Sequence, residues 1–216
     1  MKLGYPNSQG RAEVIRLLLA YFRFPYTEIN PKSREEIPVV LGKYHFDFPN
    51  FPFLADGEVH LTESLAIPVY LAHKANRPEF FGKLGLDHVK HTIVQGVLVD
   101  IQDVQGKVIA SEDPQKAFEE VKERLDGKFA QLAGFLGSKD YLFGYLTFGD
   151  FFLAYQVSIH NKLTAAMKTD SLVCKHANIT ALTGRIGNLP GVKEYLATET
   201  AKKRPVAPVV PKLKFE

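Results

Sequence analysis

Two short stretches near the start of the chain contain residue types that could bind an anion. Tyr5 ends a short apolar stretch, and Gly10-Arg11 opens a helical pattern after the polar loop PNSQ. A phenol at a strand end beside a helix N-terminus can form a hydrogen bond with an anion. On the residue alone, Tyr5 can equally be a half-buried strand aromatic. The second stretch, Thr62-Glu63-Ser64, also precedes a helical pattern. There the backbone N–H and hydroxyl of Ser64 could hold a carboxylate, although a plain N-cap explains them too.

A third stretch, DFPNFPFLADGEVHLTES at residues 47–64, has the pattern of a β-hairpin followed by a helix start. The Asp56-Gly57 pair predicts a two-residue turn. The first strand of this hairpin contains Pro49 and Pro52. Proline has no N–H to donate to a neighbouring strand, so it is found mainly at sheet edges. The two prolines therefore raise the question of what this edge pairs with.

Hydrophobic periodicity assigns these stretches to a small α/β unit. MKLGY predicts a strand, GRAEVIRLLLAYF a helix, PYTEIN a second strand and SLAIPVYLAHK a helix after the hairpin. The order is βαβ, an irregular helix, ββ and α. The apolar face of the first helix is expected to contain Val14, Ile15, Leu18, Leu19 and Phe22. A segment rich in helix breakers follows, and we predict an α/β domain over residues 1–76 and a linker over 77–86.

The remainder, residues 87–216, is predicted to be an all-α domain. Asp113-Pro114 has the pattern of a helix start, and Thr147 with Asp150 has capping-box spacing. His88 and His91 could face the same way on a helix, but such pairs are usually solvated, and we predict no metal site. In the first long helix an apolar residue recurs every three or four positions, at Val89, Ile93, Val97, Ile101, Val104 and Val108.

The bulk composition excludes several classes of function. The chain has 216 residues, of which 45% are hydrophobic and 24% charged, as in ordinary globular proteins. A net charge of +3 is too small to predict nucleic-acid binding, and no apolar run is long enough for a bilayer. The one cysteine, Cys174, excludes an internal disulfide framework and a cysteine zinc site. Because no signal peptide is apparent, we expect a cytoplasmic protein.

Together these stretches resemble the cytosolic glutathione transferases, nearest to the mu and sigma classes. The resemblance spans nearly the whole chain. It implies a thioredoxin-like α/β N-terminal domain followed by an all-helical C-terminal domain, glutathione as co-substrate, no other cofactor, and a homodimer. The residues that carry it are LGY followed by GRAEVIRLLL, DFPNFPFLADG, the Glu63-Ser64 pair thirteen residues after Asn50, VLVD at 97–100 and LTFGDFFLAY at 146–155.

The resemblance also implies how glutathione is bound and explains the prolines. In the family the second proline of this segment is cis, which here is Pro52. The N–H and C=O of Phe51 would then pair with the cysteinyl part of glutathione as an added antiparallel strand. Ser64 would bind the γ-glutamyl carboxylate. Glu63, together with Asp100 from a partner subunit, would bind the ammonium group.

The glycyl end of the site departs from the family pattern. Relatives near these classes have a tryptophan and a lysine four residues apart before the cis-proline strand, where this chain has Ile37 and Leu41. Lys43 is the nearest cation for the glycyl carboxylate, and Asn50 is expected to fix the backbone nearby. The second tyrosine of mu enzymes, late in the first long helix, is Ala110 here.

The reaction implied for Tyr5 is activation of the glutathione thiol, with support from Arg11. A thiol with a pKa of about 8.5 is only about 3% ionised at pH 7, and lowering that pKa by two takes about 2.7 kcal/mol. One hydrogen bond to a charged group contributes about 1.5–3 kcal/mol, so the phenol is sufficient. The thiolate would attack a hydrophobic electrophile lying over or against Pro6, Asn7, Ser8, Val104, Lys107, Val108 and the tail from Pro205.

Conjugation of glutathione to hydrophobic electrophiles, as in detoxification, is the favoured function. Two alternatives are a sigma-type glutathione-dependent isomerase and a non-catalytic binder of glutathione or hydrophobic ligands. Phe48 corresponds to the aromatic that some classes insert into the neighbouring subunit. An ordinary core phenylalanine is the other interpretation of Phe48.

Overall fold

The computed structural model describes residues 1–207, which form two compact units. The first unit contains Met1–Arg77 and residues 189–207, and the second contains Pro78–Asn188. The strands are β1 (Lys2–Gly4), β2 (Thr27–Ile29), β3 (Phe53–Asp56) and β4 (Val59–Thr62). The helices are α1 (Glu13–Tyr21), α2 (Glu36–Leu41), α3 (Ala66–Lys74), α4 (Leu86–Ala110), α5 (Pro114–Leu136), α6 (Phe148–Ala166), α7 (Ala177–Gly187), α8 (Val192–Ala197) and α9 (Glu199–Lys203).

The first unit is built on a mixed four-stranded sheet with the order β2-β1-β3-β4. β1 runs parallel to β2 and antiparallel to β3, and β3 and β4 form the hairpin. The sheet with its helices confirms the predicted thioredoxin-like α/β fold of the N-terminal part. Gly4 is required where β1 meets β3, because a Cβ atom there would lie 2.0 Å from the ring of Phe53.

The hairpin turn lies one residue later than predicted. Asp56 pairs with Val59, so the two-residue loop is Gly57-Glu58 and not Asp56-Gly57. Asp56 stays in the strand because its carboxylate accepts a hydrogen bond from Tyr70 Oη at 2.7 Å. Lys74 Nζ also lies 2.7 Å from this carboxylate. Gly57 has φ +62°, a conformation that glycine adopts without strain.

Helix α1 packs most of its surface into the first unit. The predicted apolar positions Val14, Ile15, Leu18 and Leu19 are all buried. Phe22 follows the last residue of the helix and is only half-buried. Arg16, a residue type usually found at the surface, is 0% exposed.

The second unit is all-helical over its described residues, as predicted. Helices α4 to α7 form it, together with a short 3-10 turn at Pro78–Phe81. Asp113 caps α5 by accepting a hydrogen bond from the Lys116 N–H at 3.0 Å. The predicted capping box of Thr147 and Asp150 is present at the start of α6. Among the described residues no helix is long and apolar enough to cross a bilayer.

The buried face of α4 differs from the predicted one in its first half. Ile101, Val104 and Val108 are buried as expected. Val89 and Ile93, however, are 53% and 62% exposed. The residues buried at that end are His91, Val94 and Leu98. The first half of α4 therefore has two apolar faces, and one of them points to solvent.

The end of the described chain packs with the first unit. Helices α8 and α9 follow the all-helical segment in sequence, yet α8 contacts α1 of the sheet-containing unit. A long-range hydrogen bond of 2.7 Å from Tyr195 to Glu13 joins them. The boundaries 1–76, 77–86 and 87–216 stay a prediction about independently folding domains.

Candidate active site

The strand register brings the three candidate stretches to one end of the sheet. Gly4 pairs with Phe53, and Phe53 pairs with Thr62. The residues that follow β1, precede β3 and follow β4 are therefore neighbours at the same end of the sheet. These are Tyr5, the Phe51-Pro52 pair and Glu63-Ser64. Residues more than fifty positions apart in the chain thus form one candidate site.

The hydroxyl of Tyr5 lies at the start of the 3-10 turn that leads into α1. Its oxygen accepts a hydrogen bond from the backbone N–H of Arg11 at 3.1 Å. The backbone of Tyr5 is fixed as well, because its N–H donates to the Ile29 carbonyl at 3.0 Å. Its carbonyl accepts from Asn30 Nδ2 at 2.8 Å. The predicted neighbours Tyr5 and Arg11 are therefore brought together, although the contact uses the Arg11 backbone.

The segment before β3 is held by the side chain of Asn50. Its Oδ1 accepts from the Phe51 N–H at 2.8 Å, and its Nδ2 donates to Glu63 Oε1 at 3.5 Å. The Phe51–Pro52 peptide bond is cis, as the resemblance implied. Asn50 thus links Phe51, the residue predicted to pair with the peptide, to Glu63, the residue predicted to bind an ammonium group.

Glu63 and Ser64 form the start of the helix that follows the hairpin. The N–H groups of Ala66 and Ile67 both donate to the Glu63 carbonyl at 3.1 Å. Helical hydrogen bonding therefore begins at Glu63, so the N–H of Ser64 comes before any acceptor within the helix. Ser64 is 8% exposed. Glu63 is exposed and has φ +73°, which is uncommon for a residue with a side chain.

The predicted glycyl end lies on α2, which has no fully buried residue. Ile37 and Leu41 are half-buried, and Lys43 is exposed just beyond the helix. The ammonium group of Lys43 is therefore accessible to an anion. Its part in binding glutathione stays a prediction.

Asp100 lies in the second unit and already has a cationic partner there. Lys128 Nζ on α5 donates to Asp100 Oδ2 at 2.7 Å. This hydrogen bond, together with the positive charge of Lys128, lowers the pKa of the Asp100 carboxyl. The carboxylate remains 51% exposed. Its predicted reach to glutathione in a partner subunit stays a prediction.

The residues predicted to line the electrophile surface differ in exposure. Ser8, Val104 and Val108 are buried, and their contact with an electrophile stays a prediction. Pro6 is half-buried, whereas Asn7 and Lys107 are exposed and stay candidates. The predicted tail starts at Pro205, and from residue 208 it lies outside the described residues.

The sequence patterns do not predict a largely buried charged cluster that bonds to the loop after Tyr5. It consists of Glu13, Arg16, Glu28 and Arg204. The sequence does contain one signal for it, because Arg16 stands between the apolar Ile15 and Leu17 in the first helix. An arginine in the middle of an apolar run needs a buried partner.

Two family models together match most of the chain. "Glutathione S-transferase, N-terminal domain" matches residues 1–73, and "Glutathione S-transferase, C-terminal domain" matches residues 100–199. The matched ranges include every predicted site residue in the first unit, as well as Asp100.

Proteins similar to this chain in sequence are also named glutathione S-transferases. Glutathione S-transferase 2 of Gallus gallus is 37% identical over 166 residues, covering 72% of this chain and 72% of that protein. Glutathione S-transferase Mu 3 of Homo sapiens is 29% identical over 214 residues, covering 95% and 92%.

Solved structures show the same fold. The glutathione S-transferase Blo t 8 superposes with a TM-score of 0.77 at 24% identity, covering 96% of each chain. The Pi-class glutathione S-transferase of Onchocerca volvulus gives 0.80 at 22% identity, covering 95% of this chain and 96% of that one. Register, family models and relatives agree, and the chain belongs to the glutathione S-transferase family.

Proposed function

We propose that this protein conjugates glutathione to hydrophobic electrophiles and that Tyr5 holds the glutathione sulfur as thiolate. The observation that carries the proposal is the register of β1, β3 and β4. It brings together a phenol, the cis-proline segment that precedes β3 and the amino end of a helix. These are the three groups that a thiol-containing tripeptide with a terminal carboxylate requires.

The hydrogen bond from Arg11 to Tyr5 supports the thiol-activating role. Tyr5 is the acceptor in this bond, so the hydrogen of its own hydroxyl is not used there. An oxygen that accepts one hydrogen bond becomes a stronger donor in the next, because the bonds polarise each other. Tyr5 can therefore donate to a thiolate sulfur and stabilise the anion over the neutral thiol.

The backbone around Phe51 is proposed to bind the cysteinyl part of glutathione as an added strand. The Phe51 N–H already donates to Asn50 Oδ1. For that pairing, Asn50 must release this N–H or share it with the ligand. Asn50 is exposed, so its amide can turn toward solvent or toward the peptide.

The charges at the helix start match those of the γ-glutamyl group. Ser64 and the amino end of α3 attract its carboxylate. The exposed Glu63 carboxylate attracts its ammonium group, with Asp100 of a partner subunit as the second anion. The exposed Lys43 is proposed for the glycyl carboxylate. No resident cofactor takes part in this scheme.

The reaction itself needs only the thiolate and the electrophile. The thiol loses its proton to solvent, and Tyr5 keeps its own proton while donating a hydrogen bond to the sulfur. The sulfur lone pair then forms a bond to carbon. In aromatic substitution a halide leaves with its electron pair. In conjugate addition the carbanion takes a proton from water. The electrophile is proposed to lie over Pro6 and Asn7.

A homodimer is supported by exposed apolar side chains in each unit. Phe48 is 76% exposed in the first unit, so the core interpretation of this residue is wrong. In the second unit Leu86, Val89 and Ile93 are exposed at helical spacing on α4. Large apolar side chains grouped at the surface are typical of interaction sites. We assign both groups to contacts with a second copy of the chain.

A cytoplasmic location and a role in detoxification complete the proposal. The single cysteine, Cys174, is exposed and free, which fits a reducing compartment. The isomerase and the non-catalytic binder have no specific observation in their favour.

The experiment is a comparison of wild type with Tyr5→Phe, using glutathione and a chlorodinitrobenzene-type electrophile. We expect the thiol pKa of bound glutathione to rise by about 1–2 in the variant, because one hydrogen bond to a charged group is lost. Turnover at neutral pH should fall about tenfold or more. Ultraviolet absorbance of the thiolate gives the pKa directly. Equal pKa values and rates in the two proteins would refute the role of Tyr5.

A further inference from the structure

The loop that contains Tyr5 is bound on one side by the end of the described chain. We call residues 5–10 the Tyr5 loop and residues 204–206 the terminal strap. The N–H groups of Gln9 and Gly10 donate to the carbonyls of the last two strap residues, at 2.8 and 3.2 Å. The side-chain amide of Gln9 donates to the carbonyl of the first strap residue at 3.0 Å. Three hydrogen bonds therefore hold the strap against the loop.

Buried polar groups hold the carbonyls of the same loop. Arg16 Nη1 donates to the Ser8 carbonyl at 2.8 Å. The rest of this guanidinium forms two bonds with Glu28, at 3.0 and 3.2 Å. Asn30 Nδ2 donates both to the Tyr5 carbonyl, at 2.8 Å, and to Glu28, at 3.0 Å. The loop is thus held through its N–H groups by the strap and through its carbonyls by Arg16 and Asn30.

The strap is tied to these buried groups through the side chain of Arg204. Arg204 Nη2 donates to Glu28 Oε1 at 2.6 Å, and Nη1 donates to Tyr195 Oη at 2.9 Å. Tyr195 donates in turn to Glu13 Oε1 at 2.7 Å. Burial and the nearby Glu13 carboxylate raise the pKa of Tyr195, so its phenol stays a neutral donor. Glu13 also pairs with Arg16 at 3.0 Å, which closes the cluster.

The cluster is balanced in charge and largely excluded from water. Its two guanidinium groups and two carboxylates sum to zero, and Arg16, Glu13 and Arg204 are each at most 5% exposed. In such an environment the geometry of each ion pair is tightly constrained, because a displaced charge loses its partner without gaining water. The cluster is therefore a rigid frame for whatever it binds.

We propose that Tyr195 and Arg204 are positioning residues for Tyr5. They hold the terminal strap against the Tyr5 loop, and the loop then presents the Tyr5 hydroxyl to the glutathione sulfur in one direction. This inference rests on the thiol-activating role proposed above for Tyr5. Hydrogen bonds depend steeply on distance and angle, so a loop that is less well held gives a thiol that is less acidic.

The first test uses Tyr195→Phe, which keeps the ring and the charge balance but removes both hydrogen bonds of the hydroxyl. We expect the thiol pKa of bound glutathione to rise by about 0.5–1, which is part of the effect of losing the Tyr5 bond. The KM for glutathione should change less than about twofold. Lys203→Gln is the control, since Lys203 is exposed on α9 close to Arg204. A thiol pKa in Tyr195→Phe equal to that of wild type would overturn the proposal.

The second test separates positioning from a general structural effect. If Tyr195 acts through Tyr5, the double variant Tyr5→Phe/Tyr195→Phe should have the same thiol pKa as Tyr5→Phe alone. Effects that add in the double variant would show that Tyr195 acts independently of Tyr5 and would refute the inference. A Tyr5→Phe variant with an unchanged thiol pKa would instead remove the proposed function itself.

Arg204 is tested with two substitutions of different severity. Lysine keeps the positive charge but loses the forked pair of donors. Methionine leaves the partly buried Glu28 carboxylate with Arg16 as its remaining cationic partner. We expect Arg204→Lys to raise the thiol pKa less than Arg204→Met. If Arg204→Met does not fold, the thiol pKa of Arg204→Lys, measured by thiolate absorbance and compared with that of wild type, still tests the role of Arg204. An Arg204→Lys thiol pKa equal to that of wild type contradicts the proposed role of Arg204.

Discussion

Gly10 lies directly against the hydroxyl group of Tyr5. A Cβ atom at Gly10 would come within 2.4 Å of Tyr5 Oη. Gly10 also has φ +43°, in the left-handed region that residues with a side chain rarely adopt. Both facts require glycine at this position. The position of the Tyr5 phenol is therefore limited by Gly10 as well as by the hydrogen bond from the Arg11 N–H.

Substitution of Gly10 by alanine should consequently displace Tyr5. We expect Gly10→Ala to reduce kcat/KM with glutathione by about 10-fold or more, because the bond from Tyr5 to the thiolate contributes about 1.5–3 kcal/mol. Steady-state kinetics and thiolate absorbance are the measurements. Gly184→Ala on α7 is the matched control, since a Cβ atom there meets nothing within 4 Å. Wild-type activity in Gly10→Ala would mean that the position of the phenol does not matter.

The exposed apolar face of α4 predicts the oligomeric state. A charge at Ile93, which is 62% exposed, would be buried in a dimer contact without a partner. We expect Ile93→Glu to weaken dimerisation by about 2–5 kcal/mol and to give monomers at micromolar concentration. Sedimentation or light scattering measures this. Leu196→Glu on α8, where the side chain is 43% exposed, is the control and should remain a dimer. A dimer of unchanged strength in Ile93→Glu would exclude α4 from the interface.

Because Asp100 is hydrogen-bonded to Lys128, its role can be tested by substituting either residue. If Asp100 binds the ammonium group of glutathione, Asp100→Asn should raise the KM for glutathione by about 2- to 5-fold, as expected for an exposed ion pair. Lys128→Met should lower this KM, because the carboxylate loses its competing partner at 2.7 Å. Asp103→Asn, on the exposed side of the same helix, controls for general loss of negative charge. A KM that stays constant in both Asp100→Asn and Lys128→Met would remove Asp100 from the site.

Much of the fold could be predicted from the sequence because its elements have clear local signals. Hydrophobic periodicity predicts the strands and the order of an α/β part followed by a helical part. The capping residues predict the helix starts at Asp113 and Thr147. The predicted turn at Asp56-Gly57 is wrong by one residue, since the observed loop is Gly57-Glu58. Tyr70 and Lys74 hold Asp56 in the strand. No local pattern contains that tertiary contact.

The arrangement around Tyr5 could be predicted only in part for the same reason. Tyr5, Phe51 and Ser64 were identified from local patterns and the resemblance. The hydrogen bond from Tyr195 to Glu13 joins residues 182 positions apart in the chain. Nothing in either segment alone indicates the other. The exposure of Val89 and Ile93 in the first half of α4 is not predicted, because periodicity identifies an apolar face without showing what covers it.

Two buried histidines of the second unit, His91 and His160, predict how stability depends on pH. Burial lowers the pKa of each from 6.5 to about 4. Each ring accepts a backbone hydrogen bond through Nε2, from Gly149 at 3.2 Å and from Leu172 at 3.1 Å respectively. A protonated ring would lose that bond. The folded state therefore keeps both histidines neutral.

The sign of the effect follows from the two pKa values. Between about pH 4 and 6.5 the unfolded chain binds more protons than the folded chain, so stability is lost as the pH falls through this range. We expect His160 alone to lower the free energy of unfolding by roughly 2 kcal/mol between pH 7 and pH 5. His160→Gln should be less stable at pH 7 but should lose less stability on acidification, as measured by urea denaturation at both pH values. His73→Gln, on the exposed end of α3, should retain the wild-type pH dependence. If His160→Gln loses as much stability on acidification as wild type, the neutral buried ring is not the cause.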